Sequence, residues 1–288
     1  MKMNDYIKIV DENLEKFMTI SYPENIFKAM RYTVLLPGKR LRPVMCLESA
    51  KIFSGNYENA IPTACAIEML HAQTLIHDDL PCMDNDDFRR GKPSNHKVFG
   101  EATAVLAGDA LLTFAPQVIL KNSSNLSNET LLKIMDEYFH AAGANGVIAG
   151  QIVDIESERT QPQNPKSALE FIHIHKTADL FNLALRTGAI IGGASDEQIK
   201  LMTDFGTKLG FAFQIRDDIL DEISTFEEMG KTLHKDKSSG KLTYTALYGL
   251  EKAKEDLNII LTECSNILAS GNIKSDVFAE IIEKLRIK

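Results

Sequence analysis

Apolar positions recur along this chain at helical rather than strand spacing. In YIKIVDENLEKFM, Ile9, Leu14, Phe17 and Met18 fall near one stripe, as in an amphipathic helix. A second helix is expected from about Pro23 to Leu35, stopped by Pro37-Gly38. A third should start near Leu41 and reach about Phe53, before the turn signal Ser54-Gly55-Asn56. From about Glu58 to His77 the pattern is long and apolar, and Pro81 should end or kink it. Further helices are expected over 101–121, 127–158, 167–193, 196–224, 242–267 and 272–287, joined by short polar connectors. Helices 58–77, 101–121 and 196–224 are apolar on most faces, which places them in the middle of a bundle. Strand alternation is scarce, and no repeat or long linker divides the chain. One all-α domain over residues 1–288 is the expectation.

Composition narrows the function. Net charge is −8, so no global basic field would draw nucleic acid. An anionic small molecule would then need a local basic cluster, metal ions, or both. The four cysteines, Cys46, Cys65, Cys82 and Cys264, form no C-x-x-C pair and no zinc spacing. Free thiols suit a reducing compartment. The N-terminus lacks an apolar core of signal-peptide length, and FNLALRTGAIIGGA, the best membrane candidate, is short and carries Arg186. These features point to a cytoplasmic protein with no membrane insertion.

The candidate chemistry lies in two acidic clusters. HDDLPCMDNDDFRRG holds Asp78, Asp79, Asp84, Asp86 and Asp87 and then two arginines. Two carboxylates about 4 Å apart repel by roughly 1 kcal/mol in water and by several times more in a partly buried site. A helix C-terminus also disfavours anions, so a bound cation would relieve both effects. All-oxygen ligands suit Mg²⁺ or Ca²⁺. An EF-hand fails, because counting from Asp84 puts Phe88 at loop position five and Arg89, not glycine, at six. The bland alternative is a solvated acidic loop. In FQIRDDILDE, Asp217 and Asp221 share a face one turn apart, with Asp218 beside them, inside an otherwise apolar helix. The economical reading is that both clusters face one cavity and share metal ions.

Basic residues could supply anion contacts. GKRLRP offers Lys39, Arg40 and Arg42 near a helix start, and RRG adds Arg89 and Arg90. HKTADL gives Lys176 and Thr177, and GKTLHKDKSSGKLTY gives Lys231, Lys235, Lys237 and Lys241. Each run alone reads first as surface decoration. His71 sits two turns before Asp78 on the same helix.

Taken together, GKRLRP, HDDLPCMDNDDFRRGKP, AGDALL, GQIVD, HKT, FQIRDDILD and GKTLHKD with SGKLTY resemble the short-chain trans-prenyl diphosphate synthases, across nearly the whole chain. The resemblance implies a bundle of ten or more mostly antiparallel helices around a deep cavity, usually as a homodimer. It implies Mg²⁺, three ions per site, with Asp78, Asp84 and Asp217 as ligands and Asp79, Asp218 and Asp221 as further ligands or support. It assigns Lys39, Arg42, His71 and Arg90 to isopentenyl diphosphate. Arg89, Lys176, Thr177, Gln214, Lys231 and Lys241 go to the allylic diphosphate. Lys176, Thr177 and Gln214 are the catalytic candidates, and Gln151 and Asp154 should line the cavity.

The implied reaction ionises the allylic diphosphate, shields the cation from water, and joins it to isopentenyl diphosphate. Product length should depend on the wall before Asp78. Gln73 stands where the family's farnesyl branch often has an aromatic residue, followed by Thr74, which leaves room for geranylgeranyl diphosphate. Leu70 or Thr113 could still block, and chains of this size and motif set are often farnesyl synthases. Farnesyl diphosphate is therefore the first expectation and geranylgeranyl diphosphate the alternative. A class I terpene cyclase is more remote, because FQIRDDILDE lacks the cyclases' second metal motif. So is a non-catalytic regulatory subunit, since both aspartate motifs are intact.

Overall fold

The structure, a computed structural model, describes residues 1–223 and 241–287. Its helices are α1 (Met3–Phe17), α2 (Glu24–Val34), α3 (Leu41–Ser54), α4 (Ile61–Asp78), α5 (Asn95–Phe99), α6 (Glu101–Asn122) and α7 (Asn128–Ala142). They continue with α8 (Val147–Arg159), α9 (Pro165–Ile172), α10 (Asp179–Ile191), α11 (Asp196–Ile223), α12 (Tyr244–Tyr248), α13 (Leu250–Ser270) and α14 (Asp276–Leu285). The fold is all-α, and among the described residues one hairpin joins two two-residue strands, β1 (Phe88–Arg89) and β2 (Lys92–Pro93).

Helix α4 packs against α6 and α3, α3 against α10, and α11 against α10 and α13. Pro43–Ala50 of α3 and Pro62–Leu70 of α4 are buried on every face, so these two helices form the middle of the bundle. Helix α11 differs from the expectation. It buries a stripe through Met202, Phe205, Leu209, Ala212, Ile215 and Ile219 and leaves its other faces more open. Helix α6 is long and apolar enough to cross a membrane by length and composition, which the sequence reading overlooked. Its packing on α4 and α2 accounts for the apolar composition of one face, while Val105, Leu106 and Leu120 are exposed on another.

Three expected helices are divided. The 127–158 stretch breaks between Ala142 and Val147, where Gly143 and Gly146 stand. The 242–267 stretch breaks at Gly249, whose φ of 84° leaves the helical region. Within 167–193, the residues His173–Ala178 form a π-helical turn joining α9 and α10. Such turns widen the backbone and often mark functional positions. Gly150 of α8 and Gly210 of α11 press on this turn. An added Cβ would stand 2.2 Å from the Lys176 nitrogen at Gly150 and 2.6 Å from the Ala178 Cα at Gly210. The turn is thus clamped between two helices at positions that admit no side chain.

Candidate active site

Helix α4 ends where the resemblance needs it to, at Asp78. The acidic loop then folds back over the helix end. The Asp84 amide donates to the Asp78 carbonyl at 2.9 Å, and the Asp86 amide to the Asp79 carbonyl at 3.2 Å. These bonds satisfy carbonyls that a helix C-terminus otherwise leaves open and hold Asp84 close to Asp78. Asp79 is 1% exposed and bound by Arg89, whose Nε donates to Oδ1 at 2.9 Å. Burial pushes the Asp79 carboxyl up to about 6, against the pull of Arg89. Asp86 holds the same guanidinium at 3.3 Å, and Asp87 pairs with Lys97 at 3.0 Å. The two aspartates without a role in the sequence reading therefore help to fix the loop.

The hairpin that follows directs the two arginines apart. Arg90 and Gly91 both have positive φ, 53° and 74°, as in the tight turns that match strand twist. Arg89 turns to Asp79, while Arg90 donates to the Leu36 carbonyl at 3.2 Å and lies 3.5 Å from Glu68.

Asp78, Asp84 and Arg89 line a cavity of about 190 Å³ together with Asp217 and Asp218 of α11, Asp154 of α8, His173, Lys176, Gln214 and Lys241. Both acidic clusters thus reach one space. Asp79 and Asp221 are buried and are not among the residues lining it, which places them as support rather than lining. Asp218 is fixed by Gln214 Nε2 at 3.1 Å and by the Tyr244 amide at 2.7 Å. Gln214 Oε1 in turn accepts from the Thr177 hydroxyl at 2.9 Å, so Thr177, Gln214 and Asp218 form one chain. Lys176 donates to Asp154 Oδ2 at 2.5 Å, and Lys241 lies 3.7 Å from the same oxygen. The other Asp154 oxygen is buried with no partner among the described residues.

Basic residues cluster nearby, and Arg42 and His71 among them line a second cavity. Arg40, with φ of 47°, is buried and bonded to Glu68 at 2.6 Å, Asp11 at 2.9 Å and the Leu36 carbonyl at 3.0 Å. It is a structural cation. Arg42 lies 4.8 Å over the Phe181 ring, and its buried Nε has no partner among the described residues. Burial, with Arg90 adding to it, lowers Arg42 to about 10. Burial first, and then Arg42 and Arg90, hold His71 well below the ordinary imidazole range, so it is neutral at pH 7. Lys39 is lowered by burial and by Arg216. Glu68 is the buried counter-charge, 2% exposed. It serves Arg40 and Arg90, leaving positive charge available to an anion.

From the acidic mouth this second cavity, of about 390 Å³, continues past Leu75, Asp78 and Lys176. Its walls are mostly apolar. Gln73, Thr74 and His77 come from α4, and Val147, Ile148, Gln151, Ile152 and Ile155 from α8. Leu70 and Thr113 do not line it. Leu70 is fully buried in the core, and Thr113 is exposed on α6.

A sequence model of the family described as polyprenyl synthetase matches residues 23–285. The chain belongs to this family. It is 46% identical over 260 residues to a chloroplastic geranylgeranyl pyrophosphate synthase of Catharanthus roseus, covering 90% of this chain and 72% of that one. It is 44% identical over 260 residues to a dimethylallyltranstransferase of Fischerella ambigua, with 90% and 75% covered. The crystal structure of a Helicobacter pylori geranyltransferase complexed with magnesium and isoprenyl diphosphate superposes with a TM-score of 0.82 at 35% identity, over 98% of this chain and 95% of that chain. The fold and the prenyltransferase class follow from these matches.

Lys231, Lys235 and Lys237 lie outside the described residues. Among the described residues, no three carboxylate, imidazole or thiol groups already converge as a metal cage. The donors still fit Mg²⁺, which usually takes one or two carboxylates and completes its shell with water and substrate phosphate oxygens. Burial raises the Asp78 carboxyl despite nearby Lys176, so its charge is short of compensation. Sequence reasoning missed Glu68, Arg216, His173, Tyr244 and His77. Glu68 meets Arg40, and the Tyr244 amide meets Asp218, only once the helices are packed.

Proposed function

We propose that this chain condenses isopentenyl diphosphate with allylic diphosphates, in a Mg²⁺-dependent reaction, and that its main product is geranylgeranyl diphosphate. One observation carries the reading. Two aspartate groups and three cationic side chains surround a mouth that opens into an apolar cavity.

The residues divide the work. Lys176, Lys241 and Arg89 are placed to gather the charge of the allylic diphosphate, and Asp154 presets the two lysines. Asp78, Asp84 and Asp217 would hold Mg²⁺, which supplies further neutralisation of the leaving diphosphate when bound. The apolar cavity keeps water from the allylic cation. The Thr177 hydroxyl and the Gln214 carbonyl, locked by their mutual bond, present oriented dipoles near it. Lys39, Arg42, Arg90 and the neutral His71 suit the second diphosphate. The exposed apolar side chains Leu106 and Leu120 on α6 and Leu132 and Phe139 on α7 support the homodimer expected from the resemblance.

The preference for twenty carbons reverses the order drawn from sequence. Leu70 and Thr113, two wall residues that could have blocked a longer chain, both lie outside the cavity. No phenylalanine or tyrosine is among the described residues lining it. The similarity to a geranylgeranyl pyrophosphate synthase points the same way. Incubating the purified chain with isopentenyl and dimethylallyl diphosphates and Mg²⁺, then sizing the products, tests the reading. Twenty-carbon product is expected. A fifteen-carbon end product would restore the farnesyl reading, a cyclic hydrocarbon the cyclase, and an inactive isolated chain the regulatory subunit.

A further inference from the structure

His77 stands next to Asp78, yet no role follows for it from the aspartate pair. Its imidazole bridges two helices. Nε2 lies 3.1 Å from the Val105 carbonyl of α6, and Nδ1 lies 3.1 Å from Nε2 of Gln73, one turn earlier on α4. Its nearest carboxylate, Asp109 Oδ1, is 3.9 Å from Nε2. A carbonyl only accepts, so Nε2 carries the proton, and Nδ1 must then accept from the Gln73 amide. The ring can sit there because Gly108 of α6 has no side chain. A Cβ at Gly108 would stand 2.0 Å from His77 Nε2.

Both His77 and Gln73 line the apolar cavity. A glutamine bonded to its own i+4 neighbour lies along its helix. A glutamine without that bond has three free torsions and can turn into the cavity. We infer that His77 is a positioning residue for product length: anchored on α6, it holds Gln73 flat against the wall and so keeps the cavity open to a growing chain. The inference rests on the chain-elongation reading above, and it adds a determinant at a residue that is itself neither diphosphate contact nor Mg²⁺ ligand in that reading.

The test compares product ratios at fixed substrate concentrations for the full-length chain. His77→Phe keeps a planar aromatic ring, somewhat larger than the imidazole, and removes both hydrogen bonds. The ratio of longest to next-shorter product is expected to fall about fivefold, the effect of one neutral hydrogen bond, while the rate of the first condensation stays near that of the parent. In a Gln73→Ala background, His77→Phe should change the ratio no further, because nothing remains to be held. Gly108→Ala displaces the ring without altering either partner and should reproduce the shift. An unchanged ratio in His77→Phe overturns the inference. So does an equal shift with and without Gln73, which would make His77 a wall residue acting directly. A parent chain that elongates nothing fails a different claim, the proposed reaction itself, and removes the basis for both.

Discussion

Lys176 Nζ and Asp154 Oδ2 are 2.5 Å apart, joining the π-turn of the candidate site to helix α8. Asp154 is 3% exposed. Burial raises its carboxyl, but Lys176 and Lys241 outweigh burial and leave it below the usual carboxylate range. A carboxyl lowered in the folded state stabilises the fold above its unfolded pKa, and the gain is lost as pH falls through the folded value. The stability difference between the parent and Asp154→Asn should therefore be full, about 3 kcal/mol, above about pH 4 and shrink below it. Urea denaturation at neutral and acid pH measures it. A difference that grows on acidification contradicts the assignment.

Arg89 and Asp79 make a pair in which neither charge is easily spared. Arg89→Ala strands a buried carboxylate and should cost about 3–5 kcal/mol. Adding Asp79→Asn should recover part of the loss, since the stranded charge is gone. Denaturation midpoints of the single and double variants decide. No recovery in the double variant would show that the pair does not set the stability of this loop.

Gly150→Ala tests the clamp on the π-turn. The new Cβ would lie 2.2 Å from the Lys176 nitrogen, a backbone atom that cannot rotate aside. Overpacking should cost about 1–3 kcal/mol. An ångström-scale displacement of Lys176 and Thr177 should lower kcat by about a hundredfold. A variant with parental kcat would remove the turn's geometry from the mechanism.

Glu68 compensates a cluster of arginines, bonded to Arg40 at 2.6 Å and 3.5 Å from Arg90. Glu68→Gln should destabilise the anion-free protein by about 3 kcal/mol. Inorganic pyrophosphate should then raise the Tm of this variant more than that of the parent, because a bound anion replaces the lost charge. Equal shifts would mean that the cluster does not bind diphosphate through these arginines.

The sequence foretold most helices, because helical periodicity survives wherever one face is buried, as in α1 with Met3, Tyr6, Val10 and Leu14. It also brought out the two aspartate clusters, since like charges within apolar helices violate the local pattern. It missed the π-turn, which differs from an α-helix only in backbone spacing, although it named Lys176 and Thr177 on it. Only the family resemblance, not the residue pattern, set Asp79 apart from Asp78. Adjacent positions on a helix end point about 100° apart, and only the packed loop decides which one meets Arg89. The wall of the apolar cavity was least legible. Ile148, Ile152 and Ile155 of α8 reach it from a segment far along the chain, while Leu70 and Thr113, close in sequence to the motifs, do not.

Asp78 and Asp217, from α4 and α11, are proposed to serve one Mg²⁺-dependent prenyl transfer. The most direct test is incorporation of labelled isopentenyl diphosphate into prenyl product by the parent, Asp78→Asn and Asp217→Asn, each with helix content checked by circular dichroism. Mg²⁺-dependent incorporation is expected of the parent, and near-complete loss in each folded variant. Turnover retained by either variant, or a parent that incorporates equally without Mg²⁺, would contradict it.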